Sequence, residues 1–114
     1  MARSTKEVFD HHVDALMRGD LTALMTDYAD DGVLMTMDAV YTGKEAIRSF
    51  FVEALGSLPN LRLTGTGEHV SGDVVMCTYC GDCDVATVPA GVDTFIIRDD
   101  KIRLQTGWFT VVPK

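Results

Sequence analysis

The chain is short of positive charge: ten lysines and arginines stand against seventeen aspartates and glutamates, for a formal net charge of -7. Nucleic acid and anionic membrane both recruit clustered Lys and Arg, so neither is an expected partner. No apolar run approaches the roughly 20 residues that span a bilayer. The first ten residues, MARSTKEVFD, carry no hydrophobic stretch of the signal-peptide kind, and a cytoplasmic protein is expected. Cysteine is scarce and odd in number, at Cys77, Cys80 and Cys83. An odd count argues against a disulfide framework, and C-x2-C-x2-C without a fourth cysteine completes neither an iron–sulfur nor a zinc set. On a strand, Cys77 and Cys80 would face opposite sides, so they read as small residues of a reducing compartment. His11, His12 and His69 make no HExxH spacing, and neither a phosphate-cradling glycine loop nor a Gly-x-Ser-x-Gly elbow occurs. No metal and no cofactor is expected.

What is present is enough apolar material for one core. With 114 residues, 46% of them hydrophobic, the chain reads as a single domain over residues 1–114. Ser4 and Glu7 form a capping-box pattern that starts a helix near Thr5, with Phe9, Val13, Leu16 and Met17 as its apolar stripe. Gly19-Asp20 stops that helix, and Asp20 caps a shorter one running to Tyr28. Asp30-Asp31-Gly32 reads as a turn, Val33 to Met37 as a strand, and Tyr41 as the start of a short return. Thr42 with Glu45 suggests a second capping box, and Ala46, Ile47, Phe50, Phe51, Ala54 and Leu55 give the third helix a wide apolar face. From Leu61 the periodicity changes to two. Leu61–Val70, Asp73–Thr87, Val92–Arg98 and Lys101–Val112 read as strands, with turns at Ser71-Gly72, Pro89-Ala90-Gly91 and Asp99-Asp100. Helices followed by an antiparallel meander predict an α+β fold.

The stretch from Gly19 to Phe51, GDLTALMTDYADDGVLMTMDAVYTGKEAIRSFF, resembles the SnoaL-like branch of the nuclear transport factor 2-like (NTF2-like) superfamily. That resemblance implies a cone: a curved, mostly antiparallel sheet wrapped around three N-terminal helices, with an internal pocket. It also implies either an isomerase or polyketide-cyclase type of enzyme, stabilising an enolate, or a non-catalytic module holding a small apolar ligand. Related cones commonly dimerise through the outer sheet face. Here Val92, Ile96, Phe109 and Val111 are expected outward, more apolar surface than one small domain buries, so a homodimer is expected.

Alternation in GVDTFIIRDD puts Asp93 with Phe95 and Ile97 on the face opposite Arg98, and so inward. An inward carboxylate is paired, hydrogen-bonded or protonated. The segment VDTF resembles the stretch of ketosteroid isomerases that carries the protonated aspartic acid of the oxyanion hole, which would make Asp93 a neutral donor; the other reading is a carboxylate at the rim or paired with a helix residue. His12 lies on the buried face of the first helix, where the isomerase pattern has its oxyanion tyrosine. It is either a donor and proton shuttle or a satisfied core histidine. His11 falls at the edge of that face. Counted without gaps, the isomerases' basic aspartate falls on Thr36. Asp38, two residues on and on the same strand face, takes that role if the strand or loop is shifted; otherwise it is a solvated loop residue. Phe9, Tyr28, Tyr79, Phe95 and Trp108 are the remaining candidates for the pocket wall. Gly107 reads as a possible bulge, which leaves the face of Trp108 open.

Overall fold

Helix α1 (Thr5–Met17) begins as its capping box dictates: the Ser4 hydroxyl accepts from the Glu7 N–H, and the Glu7 carboxylate accepts from the Ser4 N–H. The structure is a computed structural model that describes residues 2–114. Its buried face holds Val8, Phe9, His12 and Ala15, while Val13 of the expected stripe is 39% exposed. Gly19, at φ +66°, turns the chain, and Asp20 caps α2 (Leu21–Met25) by accepting from the Ala23 N–H. Tyr28 does not end this helix as expected; it opens β1 (Tyr28–Thr36). The Asp30-Asp31-Gly32 segment is likewise no turn but an arch within β1, where register against the neighbouring strand slips between Tyr28 and Val33. β2 (Val40–Thr42) folds back on β1 and leads into α3 (Lys44–Ser57). The expected Thr42 cap is absent. Thr42 is still paired with Val33 as strand, and Gly43, at φ +89°, makes the turn into the helix instead.

Four long strands follow: β3 (Arg62–Ser71), β4 (Val74–Asp82), β5 (Ala86–Arg98) and β6 (Lys101–Phe109), with β7 (Val112–Pro113) paired to the start of β5. The expected turn at Pro89-Ala90-Gly91 is strand. Pro89 falls where β4 and β5 lose register, a place where a missing N–H costs no ladder bond. The sheet runs β2-β1-β6-β5-β4-β3 and is curved, unclosed and mixed, because β1 lies parallel to β6 while the other pairs are antiparallel. The α+β class holds, and no helix among the described residues is long and apolar enough to cross a membrane.

Helix α1 lies over β3, β4 and β5, and α3 over β1 and β2. Between them sits a core that includes Phe9, Leu24, Leu34, Ile47, Phe51 and Phe95. Each such side chain contributes about 1.5–3 kcal/mol on burial, against about 0–1 kcal/mol for an exposed ion pair. The core therefore decides the packing. One ionic contact differs in kind: the fully buried Asp27 accepts from Arg3 Nη1 at 2.8 Å and pairs with His11 Nδ1 at 2.7 Å, tying α1 to the start of β1. Removing both partners would leave a buried carboxylate without compensation.

A bulge sets the faces of β6. Ile96 opposes Leu104 while Ile97 opposes Ile102, which leaves Arg103 as the extra residue. Strand parity flips there. Ile102 is fully buried before the bulge, and Gln105, Gly107 and Phe109 point inward after it. Trp108 therefore takes the outer face, 61% exposed and opposite Val92. The same flip reverses the expectation for Phe109, which faces the interior rather than solvent.

Candidate functional site

The concave face of the sheet and helices α1 and α3 enclose a cavity of about 410 Å³. Its wall is largely apolar, with Phe9, Leu16, Phe50, Phe51, Leu63 and Phe95 supplying much of it. Polar side chains converge at the buried inner end: Asp93 on β5, Tyr79 on β4, Gln105 on β6 and His12 on α1. Adjacent strands bring the first three together, since Tyr79 pairs across from Gly91 and Asp93 across from Gly107.

Asp93 faces inward as alternation predicts, and both of its oxygens are engaged. Oδ1 accepts from the Tyr79 hydroxyl at 2.8 Å, and Oδ2 accepts from Gln105 Nε2 at 3.0 Å. Burial raises the Asp93 pKa above the ordinary carboxylate value, and these two donors pull it part of the way back. The expected upward shift is thus present. Gln105 Nε2 can only donate, so Asp93 Oδ2 is an acceptor in either protonation state, while Oδ1 meets a hydroxyl that donates to a carboxylate. Tyr79 stays protonated, its pKa raised first by burial and then by Asp93.

Two glycines make this geometry possible. A Cβ on Gly107 would stand 2.9 Å from Asp93 Oδ1, and one on Gly91 would stand 2.3 Å from the Tyr79 ring. Gly107 is thus not the bulge the sequence suggests but the space into which the carboxylate fits. Gly91→Ala should push the Tyr79 ring aside and destabilise the fold by about 1–3 kcal/mol, as overpacking does. Gly56→Ala on α3, where no atom lies within 4 Å, should be neutral or stabilising. Urea unfolding of both variants checks the pair; equal midpoints would mean that the ring has room to move.

His12 is 2% exposed and meets the rings of Tyr28, Phe51 and Phe95 edge-on, at centroid distances of 5.6, 6.2 and 5.2 Å. Its Nδ1 is buried with no hydrogen-bond partner. Burial holds its pKa down to about 4, with Asp27 opposing and His11 assisting, so the ring is neutral at pH 7. His11, at the edge as expected, belongs to the Asp27 contact.

The remaining candidates divide. Phe9 and Phe95 line the cavity and touch edge-on at 5.4 Å. Tyr28 is fully buried behind the wall, its hydroxyl donating to Gln105 Oε1. Trp108 lies outside. Asp38 is exposed on the turn after β1, where the Thr36 hydroxyl accepts from the N–H groups of Asp38 and Ala39 at 3.2 and 3.3 Å. That tight turn carries the carboxylate into solvent, while Thr36 itself lines the cavity. Cys77 also lines it, but burial and then Asp93 push its thiol up to about 11, so it is no nucleophile at neutral pH. Among the described residues no cluster of His, Cys, Asp and Glu is arranged to hold a metal ion.

Sequence reasoning passed over Gln105 and the spacing role of Gly91 and Gly107. One signal was available: two small residues placed around an inward carboxylate and an inward tyrosine on neighbouring strands. Gln105 carried no comparable signal, because its face depends on the bulge at Arg103.

A comparison with curated proteins finds no match. Among solved structures, a protein of Sinorhizobium meliloti provisionally described as a polyketide cyclase has 21% identity and a TM-score of 0.80, covering 89% of this chain and 93% of its own. One of Kribbella flavida, provisionally described as a ketosteroid isomerase, has 16% identity and a TM-score of 0.80, covering 93% of this chain and 77% of its own. An NTF2-like protein of unknown function from Cytophaga hutchinsonii has 12% identity and a TM-score of 0.80, covering 96% and 93%. At such identities the likeness establishes the fold. The profile of the SnoaL-like domain matches residues 9–105, and the chain belongs to that family, within the NTF2-like superfamily.

Proposed function

We propose that this protein is an enzyme of the isomerase or cyclase type, which moves a proton on a small, mostly apolar carbonyl compound held in the cone. The observation that carries this reading is the Asp93 carboxylate. It is half-buried at the inner end of an apolar cavity, with both oxygens oriented by donors. A carboxylate has about four acceptor positions, so Tyr79 and Gln105 leave room for a ligand hydrogen. Asp93 takes a proton from the carbon next to the carbonyl, the freed electron pair becomes an enolate, and the charge gathers on oxygen. His12, neutral at pH 7, meets that oxygen as donor: with Nδ1 unpartnered, the proton belongs on Nε2, since a buried orphan N–H costs more than an orphan acceptor. Asp93 then returns the proton to the same or a neighbouring carbon. Asp38, exposed on its turn, has no part in this scheme.

The test is exchange. 2-Tetralone in D2O should lose its α-proton NMR signal faster with the protein than in buffer alone. No acceleration, with saturable binding of the ketone, would favour the second reading of a non-catalytic binding module. That reading draws on the fact that Tyr79 and Gln105, both from the chain itself, already engage the two Asp93 oxygens.

We also propose that the outer sheet face pairs two copies of the chain. Val74, Met76, Val92 and Trp108 lie on neighbouring strands there and are 39, 39, 37 and 61% exposed. Such a face suits a second copy better than a highly charged partner. Trp108→Glu should then shift sedimentation at tens of micromolar from dimer to monomer, on the order of a micromolar Kd for the wild type. A wild-type monomer at that concentration would refute the pairing.

A further inference from the structure

Gln105 is the one neutral side chain bonded to Asp93 that has two possible orientations, and a second residue decides between them. Its Oε1 accepts from the Tyr28 hydroxyl, and its Nε2 donates to Asp93 Oδ2. Tyr28 is fully buried, so bulk water does not reach its hydroxyl to replace the Gln105 acceptor. If the Gln105 amide turned over, the Tyr28 O–H would lose its acceptor, and Oε1 would face the Asp93 carboxylate. Only a protonated Asp93 tolerates that second arrangement.

We infer that Tyr28 is a positioning residue: by fixing the Gln105 amide, it holds Asp93 in the ionised, proton-accepting form. This deepens the proton-transfer reading above and rests on it for its functional meaning, although the linkage itself concerns the protein without ligand. The Tyr28 ring packs against His12 and Phe51 of the wall, but among the described residues its hydroxyl bonds to Gln105 alone. Its phenol is suited to the task, because burial and then the charges of Asp93 and Asp27 raise its pKa well above 10, and it remains a donor throughout the neutral range. The other titratable groups facing Asp93 are Tyr79 and Cys77 on β4, with His12 on α1 and Glu68 on β3 further round the same cavity. None of them bonds to Gln105 among the described residues. Loss of the Tyr28 hydroxyl should therefore reach Asp93 by one route.

The experiment is a pH titration of the Asp93 side-chain carbon by NMR in protein carrying 13C-labelled aspartate, without ligand. Tyr28→Phe should raise the proton affinity of Asp93 by roughly tenfold, about one pH unit. In the Gln105→Leu background, the same change at Tyr28 should leave the titration where Gln105→Leu alone puts it. An unchanged titration in Tyr28→Phe would overturn the inference. So would an equal shift in both backgrounds, which would mean that Tyr28 acts by general packing. Should Tyr28→Phe fail to fold, the wild type still decides: the Gln105 side-chain amide resonances should move with the Asp93 titration, and their indifference to it would refute the linkage. Because no turnover is measured, inactivity towards 2-tetralone would count against the catalytic reading and leave this linkage standing.

Discussion

Asp93→Asn is expected to slow α-proton exchange of 2-tetralone by roughly 10²–10⁴-fold, the range for loss of a positioned general base. The amide matches the carboxylate in shape, so the fold and the cavity should survive. It cannot take a proton at neutral pH, and its NH2 group must face one of the two donors, Tyr79 or Gln105, that now point at carboxylate oxygens. Binding of the ketone should weaken far less than the rate falls, because the apolar wall of Phe9, Phe50, Phe51 and Phe95 is untouched. NMR exchange rates at saturating ketone check the first expectation, and titration by intrinsic fluorescence checks the second. A rate within a few-fold of wild type would remove Asp93 from the chemistry.

The second large effect is on stability against pH. His12 has a folded pKa of about 4 against 6.5 for the free side chain. Between these values the unfolded chain binds more protons than the folded one, so stability falls as pH drops from 6.5 towards 4. At about 1.4 kcal/mol per unit, the full loss is on the order of 3 kcal/mol, with about 2 kcal/mol of it gone by pH 5. Asp93 works in the opposite direction, because its raised pKa makes the folded state the better proton binder. The exposed acids whose pKa values are lowered, such as Asp20 and Asp82, lose their contribution only at more acidic pH. His12→Phe isolates the histidine. Urea unfolding at pH 7.5 and pH 5 should show the wild type losing about 2 kcal/mol more than this variant. Equal losses would mean that His12 is not the group whose burial opposes protonation.

Much of the frame was legible from single residues. The Ser4–Glu7 box, the Asp20 cap and the change of periodicity near Leu61 each rest on local chemistry, and each stands in the structure. Alternation alone put Asp93 inward with Phe95 and Ile97, and the helical repeat alone buried His12 while leaving His11 at an edge. The failures along the sheet share a cause. Tyr28, Asp30-Asp31-Gly32, Pro89 and Trp108 all lie at or beyond points where strand register slips. A bulge is decided by the partner strand as much as by the strand that carries it. Gln105 was unreadable for the same reason, since its inward face depends on Arg103 being the extra residue opposite Ile96 and Ile97. The protonation role of Asp93 was open in the sequence because it depends on which groups meet its two oxygens, and those come from β4 and β6.

The state of Asp93 can be read from a bound phenol. 2-Naphthol has distinct absorption and fluorescence spectra as neutral phenol and as naphtholate, and its size suits an apolar cavity of about 410 Å³. If Asp93 is an ionised acceptor, bound 2-naphthol at pH 7 donates its hydroxyl hydrogen to the carboxylate and keeps the spectrum of the neutral phenol. Asp93→Leu should then weaken binding by roughly 1–3 kcal/mol, the cost of an unmade buried hydrogen bond. A naphtholate spectrum on binding at pH 7, with a proton released to solution, would show that Asp93 is a neutral acid donating to an anion, and would contradict its assignment as the base.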